Sequence, residues 1–261
     1  MITIKSAREI ELMRQTCTLA ARTLRFLGTQ IKAGMSTGDI DRLCHEYIIK
    51  RGATPSPLNY HGFPKSVCTS KNEVICHGIP SDNDFIKDGD ILNIDVTTYL
   101  NGFHGDTNAT FFVGNVKPEI KKLVEITNLA LMESIKVCKH GARLGDIGAI
   151  IEEIAHSHNY TVVQEYCGHG IGRNFHEEPQ VVHYGKKGTG IEMKAGMTFT
   201  IEPMINIGAR HCRVLNDGWT VVTKDKSWSA QFEHTILITH DGAEILTQLR
   251  EDDWRAEDQV L

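Results

Sequence analysis

The feature that most restricts the fold of this chain is a phrase that occurs twice. Gly34-Met-Ser-Thr-Gly-Asp-Ile40 is matched by Gly141-Ala-Arg-Leu-Gly-Asp-Ile147, an offset of 107 residues (141 − 34). The same offset returns farther along. Asp88-Gly-Asp-Ile-Leu-Asn-Ile-Asp95 is matched by Ala195-Gly-Met-Thr-Phe-Thr-Ile-Glu202, with Gly89 and Gly196 in register. One chance match is easy; the same spacing at two distant places is not. Each first phrase follows a long amphipathic segment. Ser6-Ala-Arg-Glu9 has the form of a capping box, and Ile10, Met13, Cys17, Ala20, Leu24 and Leu27 continue it as a helical stripe. Lys117-Pro118-Glu119 puts proline in a first helical turn, followed by Ile120, Leu123, Val124, Leu131 and Val137. A second helix follows each phrase, with Ile40, Leu43 and Tyr47 in one copy and Ile147, Ile150 and Ile154 in the other. The chain therefore reads as α+β, a single domain over 1–250. Two helix–helix–sheet halves, about 1–110 and 111–250, are expected around an approximate two-fold axis. Residues 251–261 are acidic and read as a loosely held tail.

Both copies of the second phrase end on a carboxylate, Asp95 and Glu202, at the end of an apolar strand. An acid there is costly unless it is paired or bound to something. Two such acids meeting at a pseudo-axis would form a cation site. Asn101-Gly102 is the strongest short hairpin signal. A two-residue loop sets Leu100 opposite Phe103 and Thr97 opposite Asp106. Asp95 then lies diagonal to Asp106 on one face, about 7–8 Å away along the backbone. Adjacent carboxylates repel unless a cation lies between them.

In the second half, Glu233 opens the apolar run Glu233-His-Thr-Ile-Leu-Ile238. His169 lies in Cys167-Gly-His-Gly-Ile-Gly172, where glycine lets a ligand approach the backbone. His77 and His176 share the pattern His-x-x-Pro, without keeping the offset. Two Asp, two Glu and one His suit a pair of divalent ions such as Mn²⁺, Fe²⁺, Co²⁺ or Zn²⁺. Two ions about 3.5–4 Å apart can lower the pKa of a shared water and clamp a hydrolytic transition state. Nearby histidines can carry protons or hold an oxyanion.

Charge and cysteine usage narrow the partners. A net charge of −5 argues against a nucleic-acid surface. Seven scattered cysteines with no CxxC pair suggest a reducing compartment, and neither a zinc ribbon nor a thioredoxin-like site. The start shows no signal-peptide pattern, and no apolar run approaches the length of a membrane span. A soluble cytoplasmic protein without a membrane partner is expected.

Several phrases, taken in order, resemble the type I methionine aminopeptidases of bacteria. They are Tyr60-His-Gly-Phe-Pro-Lys-Ser-Val-Cys68, Asn72-Glu-Val-Ile-Cys-His-Gly-Ile-Pro80, Asn93-Ile-Asp95, His104-Gly-Asp-Thr107, Gly168-His-Gly-Ile-Gly172, Phe175-His-Glu-Glu-Pro179, Thr200-Ile-Glu-Pro203 and Phe232-Glu-His-Thr235. The resemblance runs from about Ile4 to Leu249. It implies the pita-bread fold and removal of the initiator methionine ahead of a small second residue. It implies two divalent ions, with Co, Mn, Fe(II), Zn and Ni as candidates. Asp106 and Glu233 would bridge them, Asp95 would serve one, and His169 and Glu202 the other. Glu202 would also accept a proton, while His77 and His176 would position the peptide and its tetrahedral intermediate. The free amine of the substrate would sit at the Asp95 ion.

A methionine pocket is implied at Tyr60, Phe63, Cys68, Phe175 and Trp219, and a monovalent-cation site near Asn72, Val74 and Ser229. A monomer is implied, working near ribosomes on nascent chains after deformylation. Many relatives carry Tyr where this chain has Phe63, and often Cys where it has Pro57. Those departures put the pocket rim in doubt, not the chemistry. Two rivals share the fold: an enzyme cutting before proline, which usually has a long N-terminal domain, and a binding protein that has lost its ligands.

Overall fold

The computed structural model describes residues 2–250 together with Asp253 and Asp258; the rest of the expected tail lies outside the described residues. Helix α1 (Ala7–Gln30) opens on the expected capping box, with Ser6 accepting the Glu9 amide and Glu9 accepting the Ser6 amide. Met13, Cys17, Ala20, Leu24 and Leu27 are buried along it. Helix α2 (Thr37–Lys50) repeats the device with Ser36 and Asp39. Helix α3 (Pro118–Lys136) starts on its proline, and α4 (Leu144–Ser157) matches α2 at both ends with the 107-residue offset.

The offset also holds in the turns. Gly34 donates to the Ile86 carbonyl and Gly141 to the Met193 carbonyl. Both glycines have positive φ, 92° and 86°, where side chains are disfavoured. The bridges Ser36↔Phe85 and Arg143↔Glu192 keep the same spacing.

The stripes need correction in three places. Val137 caps α3 and is only half-buried, while Ile135 and Cys138 are buried beside it. In α4 the buried row is Ile147, Ile151 and Ala155, with Ile150 and Ile154 at its margin. In α2 Cys44 takes the core position next to Ile40 and Tyr47, and Leu43 lies at the edge. In α4 and at Cys44 of α2 the helix presents an i, i+4 row, one of the two spacings that share a face.

The first half contributes β1 (Thr54–Pro55), β2 (Cys68–Lys71), β3 (Val74–Cys76), β4 (Ile91–Leu100) and β5 (Phe103–Phe112). The second contributes β6 (Thr161–Val162), β7 (Gly168–Gly170), β8 (Glu177–Val181), β9 (Thr198–Ile201), β10 (Met204–Asn206), β11 (Cys212–Val214), β12 (Val221–Thr223), β13 (Ser229–Gln231), β14 (Glu233–Ile238) and β15 (Ala243–Ile245). The large sheet runs β1-β4-β5-β14-β9-β7-β8, with β2 also on β4 and β15 also on β14. The β4–β5 hairpin has the expected register throughout, from Leu100↔Phe103 to Thr97↔Asp106 and Asp95↔Asn108. Strand β14 lies between β5 and β9 and joins the halves.

Each half keeps its own apolar cluster. Leu27, Ile40, Tyr47, Leu92 and Ile94 belong to the first, and Leu123, Leu131, Ile147, Ile151, Phe199 and Ile236 to the second. Among the described residues no helix is long and apolar enough to cross a membrane.

Helix α1 lies directly on β5 at Gly105. A Cβ there would come within 2.6 Å of the Cys17 backbone nitrogen. Gly105→Ala is therefore expected to cost about 1–3 kcal/mol of stability, through overpacking against backbone that cannot yield. Urea unfolding of the two proteins measures it; an unchanged midpoint contradicts the close approach.

Candidate active site

Five neighbouring strands each deliver or adjoin one of the expected ligands. Along the path β4-β5-β14-β9-β7 come Asp95, Asp106, Glu233, Glu202 just past β9, and His169. The sheet thus gathers residues that are far apart in sequence. Donor atoms of Asp106, His169 and Glu233 all lie within 4.8 Å of one another. His169 Nε2 is 3.7 Å from Asp106 Oδ2 and 3.6 Å from Glu202 Oε1. His169 Nδ1 lies 3.0 Å from the Gly170 carbonyl oxygen, which can only accept. The proton therefore sits on Nδ1, and the Nε2 lone pair faces the acids.

The carboxylates are held from behind. Thr97 Oγ1 donates to Asp106 Oδ1 at 2.7 Å, and Asn108 Nδ2 donates to Glu233 Oε2 at 2.8 Å. Thr200 Oγ1 donates to Glu202 Oε1 at 2.8 Å, with Gln231 Nε2 3.3 Å from Oε2. Asp95 Oδ1 is buried and has no hydrogen-bond partner among the described residues.

Burial pushes Asp95 up to about 7, against a hydrogen bond with Asp106. Burial and then the Asp95 charge raise Asp106 well above the carboxylate range. Glu202 is pushed up to about 8, by burial first. Glu233 is raised by burial and then by Asp106 and Glu202. Burial takes His169 down to about 3, so it is a neutral donor. Four carboxyl groups this close together cannot all ionise without positive charge among them. Four carboxylates, one of them partly orphaned, and one neutral imidazole fit divalent ions of the hard or borderline kind.

These groups open into a cavity of about 660 Å³. Its wall includes every residue expected for the site: Tyr60, Phe63, Cys68, His77, Phe175, His176 and Trp219 beside the five ligand candidates. Phe63 meets Trp219 edge-on at 5.2 Å, and Tyr60 packs on Phe175 at 4.8 Å. The Tyr60 hydroxyl is 2.8 Å from His176 Nδ1. His77 holds a positive φ of 56° and sets its ring between Tyr166 and Trp219. Burial raises the Cys68 and Cys76 thiols well above their usual range, so neither is a thiolate nucleophile. A larger groove, about 890 Å³, beside α1 is lined by Arg14, Arg22 and Glu244, whose charges are already paired.

Residues 11–240 match metallopeptidase family M24. The chain is 52% identical to the methionine aminopeptidase of Escherichia coli K12 over 255 residues, 97% of this chain and 96% of that protein. The chain belongs to metallopeptidase family M24, among its methionine aminopeptidases. The crystal structure of the Rickettsia prowazekii methionine aminopeptidase, 51% identical, superposes with a TM-score of 0.93 over 95% of this chain and 100% of that one. A prolidase from Pyrococcus furiosus, 24% identical, shares the fold at a TM-score of 0.74 over 95% of this chain and 66% of that one. The fold is the pita-bread fold of this M24 family, two pseudo-symmetric halves of antiparallel sheet covered by helices.

Sequence reasoning missed several contributors to this M24 site. Thr97 and Asn108 lie on the same strand face as the acids, and the period of two could have found them. Gln231, two residues before Glu233, carried a weaker version of that signal. Tyr166 and His183 carried none. Near the expected monovalent-cation site, Ser229 donates its amide to the Asn72 carbonyl, and Ser229 Oγ is buried without a partner among the described residues. Val74 lies on β3, which pairs with β12.

Proposed function

We propose that this protein removes the N-terminal methionine from nascent proteins and peptides, preferring a small second residue, by attack of a metal-activated water on the first peptide bond. The observation that carries the reading is the convergence of Asp95, Asp106, His169, Glu202 and Glu233 in the wall of one cavity. Two divalent ions held there supply a water of lowered pKa and a Lewis acid for the scissile carbonyl. Asp95, Asp106, His169, Glu202 and Glu233 would hold them, with Asp106 and Glu233 common to both, Asp95 belonging to one, and His169 and Glu202 to the other.

Glu202 has the environment of a proton acceptor, with an elevated pKa and hydrogen bonds that fix its geometry. The Tyr60 hydroxyl, 2.8 Å from Nδ1, orients the His176 ring; in the tautomer in which that hydroxyl donates, the His176 proton is on Nε2 and available to the peptide. Burial lowers His77 and His176 alike, so both act as neutral donors. Phe63, Cys68, Tyr60, Phe175 and Trp219 give the thioether a soft, aromatic wall. The substrate's free α-amine lies at the Asp95 end, which restricts cleavage to a chain terminus.

The reading extends to a monovalent cation near Asn72, Val74 and Ser229, supported by the unpartnered Ser229 hydroxyl. It places the protein as a monomer in the cytoplasm near ribosomes, consistent with seven free cysteines. The residues 1–250 act as one catalytic domain.

Peptide assays test it. Met-Ala-Ser is expected to release methionine. Formyl-Met-Ala-Ser is expected to resist, because a blocked amine cannot bind. Cleavage of Ala-Pro with Met-Ala-Ser left intact overturns the substrate assignment.

A further inference from the structure

His183 lies just beyond β8 and is fully buried. Its Nε2 accepts the backbone N–H of Glu202 at 3.1 Å. A ring nitrogen that accepts an amide proton carries none itself, so the neutral imidazole bears its hydrogen on Nδ1. That Nδ1 is buried and has no hydrogen-bond partner among the described residues. A side chain present only to fill space would not leave an N–H unsatisfied, since leucine or phenylalanine would pack there without that penalty.

The pseudo-symmetry shows what the acceptor is for. In the first half β4 continues past Asp95 to Leu100, and Asp95 stays within the ladder between Cys68 and Asn108. In the second half β9 stops at Ile201, and Glu202 has no strand partner in register. An imidazole thus replaces the ladder bond that the shorter strand lacks.

The backbone that carries the ring is anchored. A Cβ on Gly148 would collide with the Tyr184 carbonyl oxygen, so α4 lies directly on the backbone next to His183. Gly185 N donates to the Glu152 carboxylate at 3.0 Å.

We infer that His183 is a positioning residue for the reaction: by accepting the Glu202 amide it fixes the main chain that aims the Glu202 carboxylate at His169 and the metal centre. The inference rests on the reading of Glu202 as ligand and proton acceptor.

The test compares wild type, His183→Leu and His183→Gln as full chains, stripped of metal and titrated with Mn²⁺ by calorimetry. Glutamine offers a side-chain carbonyl oxygen to the same amide; leucine offers nothing. His183→Leu is expected to bind Mn²⁺ about 10–100-fold more weakly, as loss of a group supporting a ligand does. Its kcat on Met-Ala-Ser falls in parallel, while KM stays within about twofold because the methionine pocket is untouched. His183→Gln recovers most of both losses. Equal Mn²⁺ affinity in wild type and His183→Leu overturns the role, and so does equal impairment of the leucine and glutamine variants. Failure of the wild type to bind Mn²⁺ at all overturns the reading of the site, and this inference with it.

Should His183→Leu not fold, ¹⁵N spectra of histidine-labelled wild type decide. A neutral ring protonated on Nδ1 is expected, and protonation on Nε2 overturns the inference.

Discussion

Glu202→Ala lowers kcat on Met-Ala-Ser by about 10³-fold, the scale of a lost general base, and leaves a folded protein. On the proposed reading the loss has two sources in one side chain: Glu202 would be both the proton acceptor and a metal ligand beside His169. The fold survives because Glu202 is a liability to the metal-free chain. Burial holds its pKa at about 8, so ionising it there is uphill. Its removal leaves only Thr200 Oγ1 and Gln231 Nε2 to find other partners. The melting temperature of the metal-free variant is expected to equal or exceed that of the metal-free wild type. Glu202→Gln keeps the shape and should be nearly as inactive, which separates charge from packing. Calorimetry and initial rates on one preparation check both parts. A folded variant with near-wild-type turnover would remove Glu202 from the mechanism.

Chelation should abolish turnover and change how stability depends on pH. Asp95 and Glu202 have folded pKa values raised to about 7 and about 8. The metal-free folded chain therefore holds protons that the unfolded chain releases, and stability falls as pH rises through those values. Each retained proton contributes a slope of about 1.4 kcal/mol per pH unit. Histidines act in the opposite sense. His169 is lowered to about 3, and His104, His176 and His234 to about 4. Their contribution is complete above the ordinary value of 6.5 and is lost as pH falls below it. The metal-free protein should be most stable near pH 6.5. Saturating Mn²⁺ should flatten the alkaline side, because bound cations favour the ionised acids, and should add about 2.7 kcal/mol at a hundredfold excess over Kd. Urea midpoints from pH 5 to 9, with and without metal, measure this. Identical profiles in the two series would mean that the acids do not face a metal.

Much of this was legible in the sequence because local rules and the repeat agreed. Asn101-Gly102 fixed one hairpin register, and that register alone put Asp95 diagonal to Asp106. The 107-residue offset carried over to turns, bridges and both ends of α2 and α4. What was hidden depends on contacts between halves. No local signal says that β14 inserts between β5 and β9, or that β3 pairs with β12 from the other half and brings the Trp219 turn to His77. Helix faces were read to within one residue; at Ile150 and Val137 tertiary packing, not periodicity, chose which side chain went inward. The tail was read as loose from its acidic charge and its place past the shared stretch that ends near Leu249. Asp258 is nevertheless buried, with the Tyr47 hydroxyl 3.3 Å away and Arg22 and Arg51 at 3.7 Å.

The place of β14 also dictates when the protein can first act. Synthesis delivers both helix pairs and the long hairpin well before residue 233, and the strand that couples the two sheets and brings Glu233 comes after all of them. A nascent chain halted before Ile238 would hold two partly folded lobes and no assembled centre. Competence should therefore switch on when that single short segment docks, and not accumulate gradually as the polypeptide lengthens.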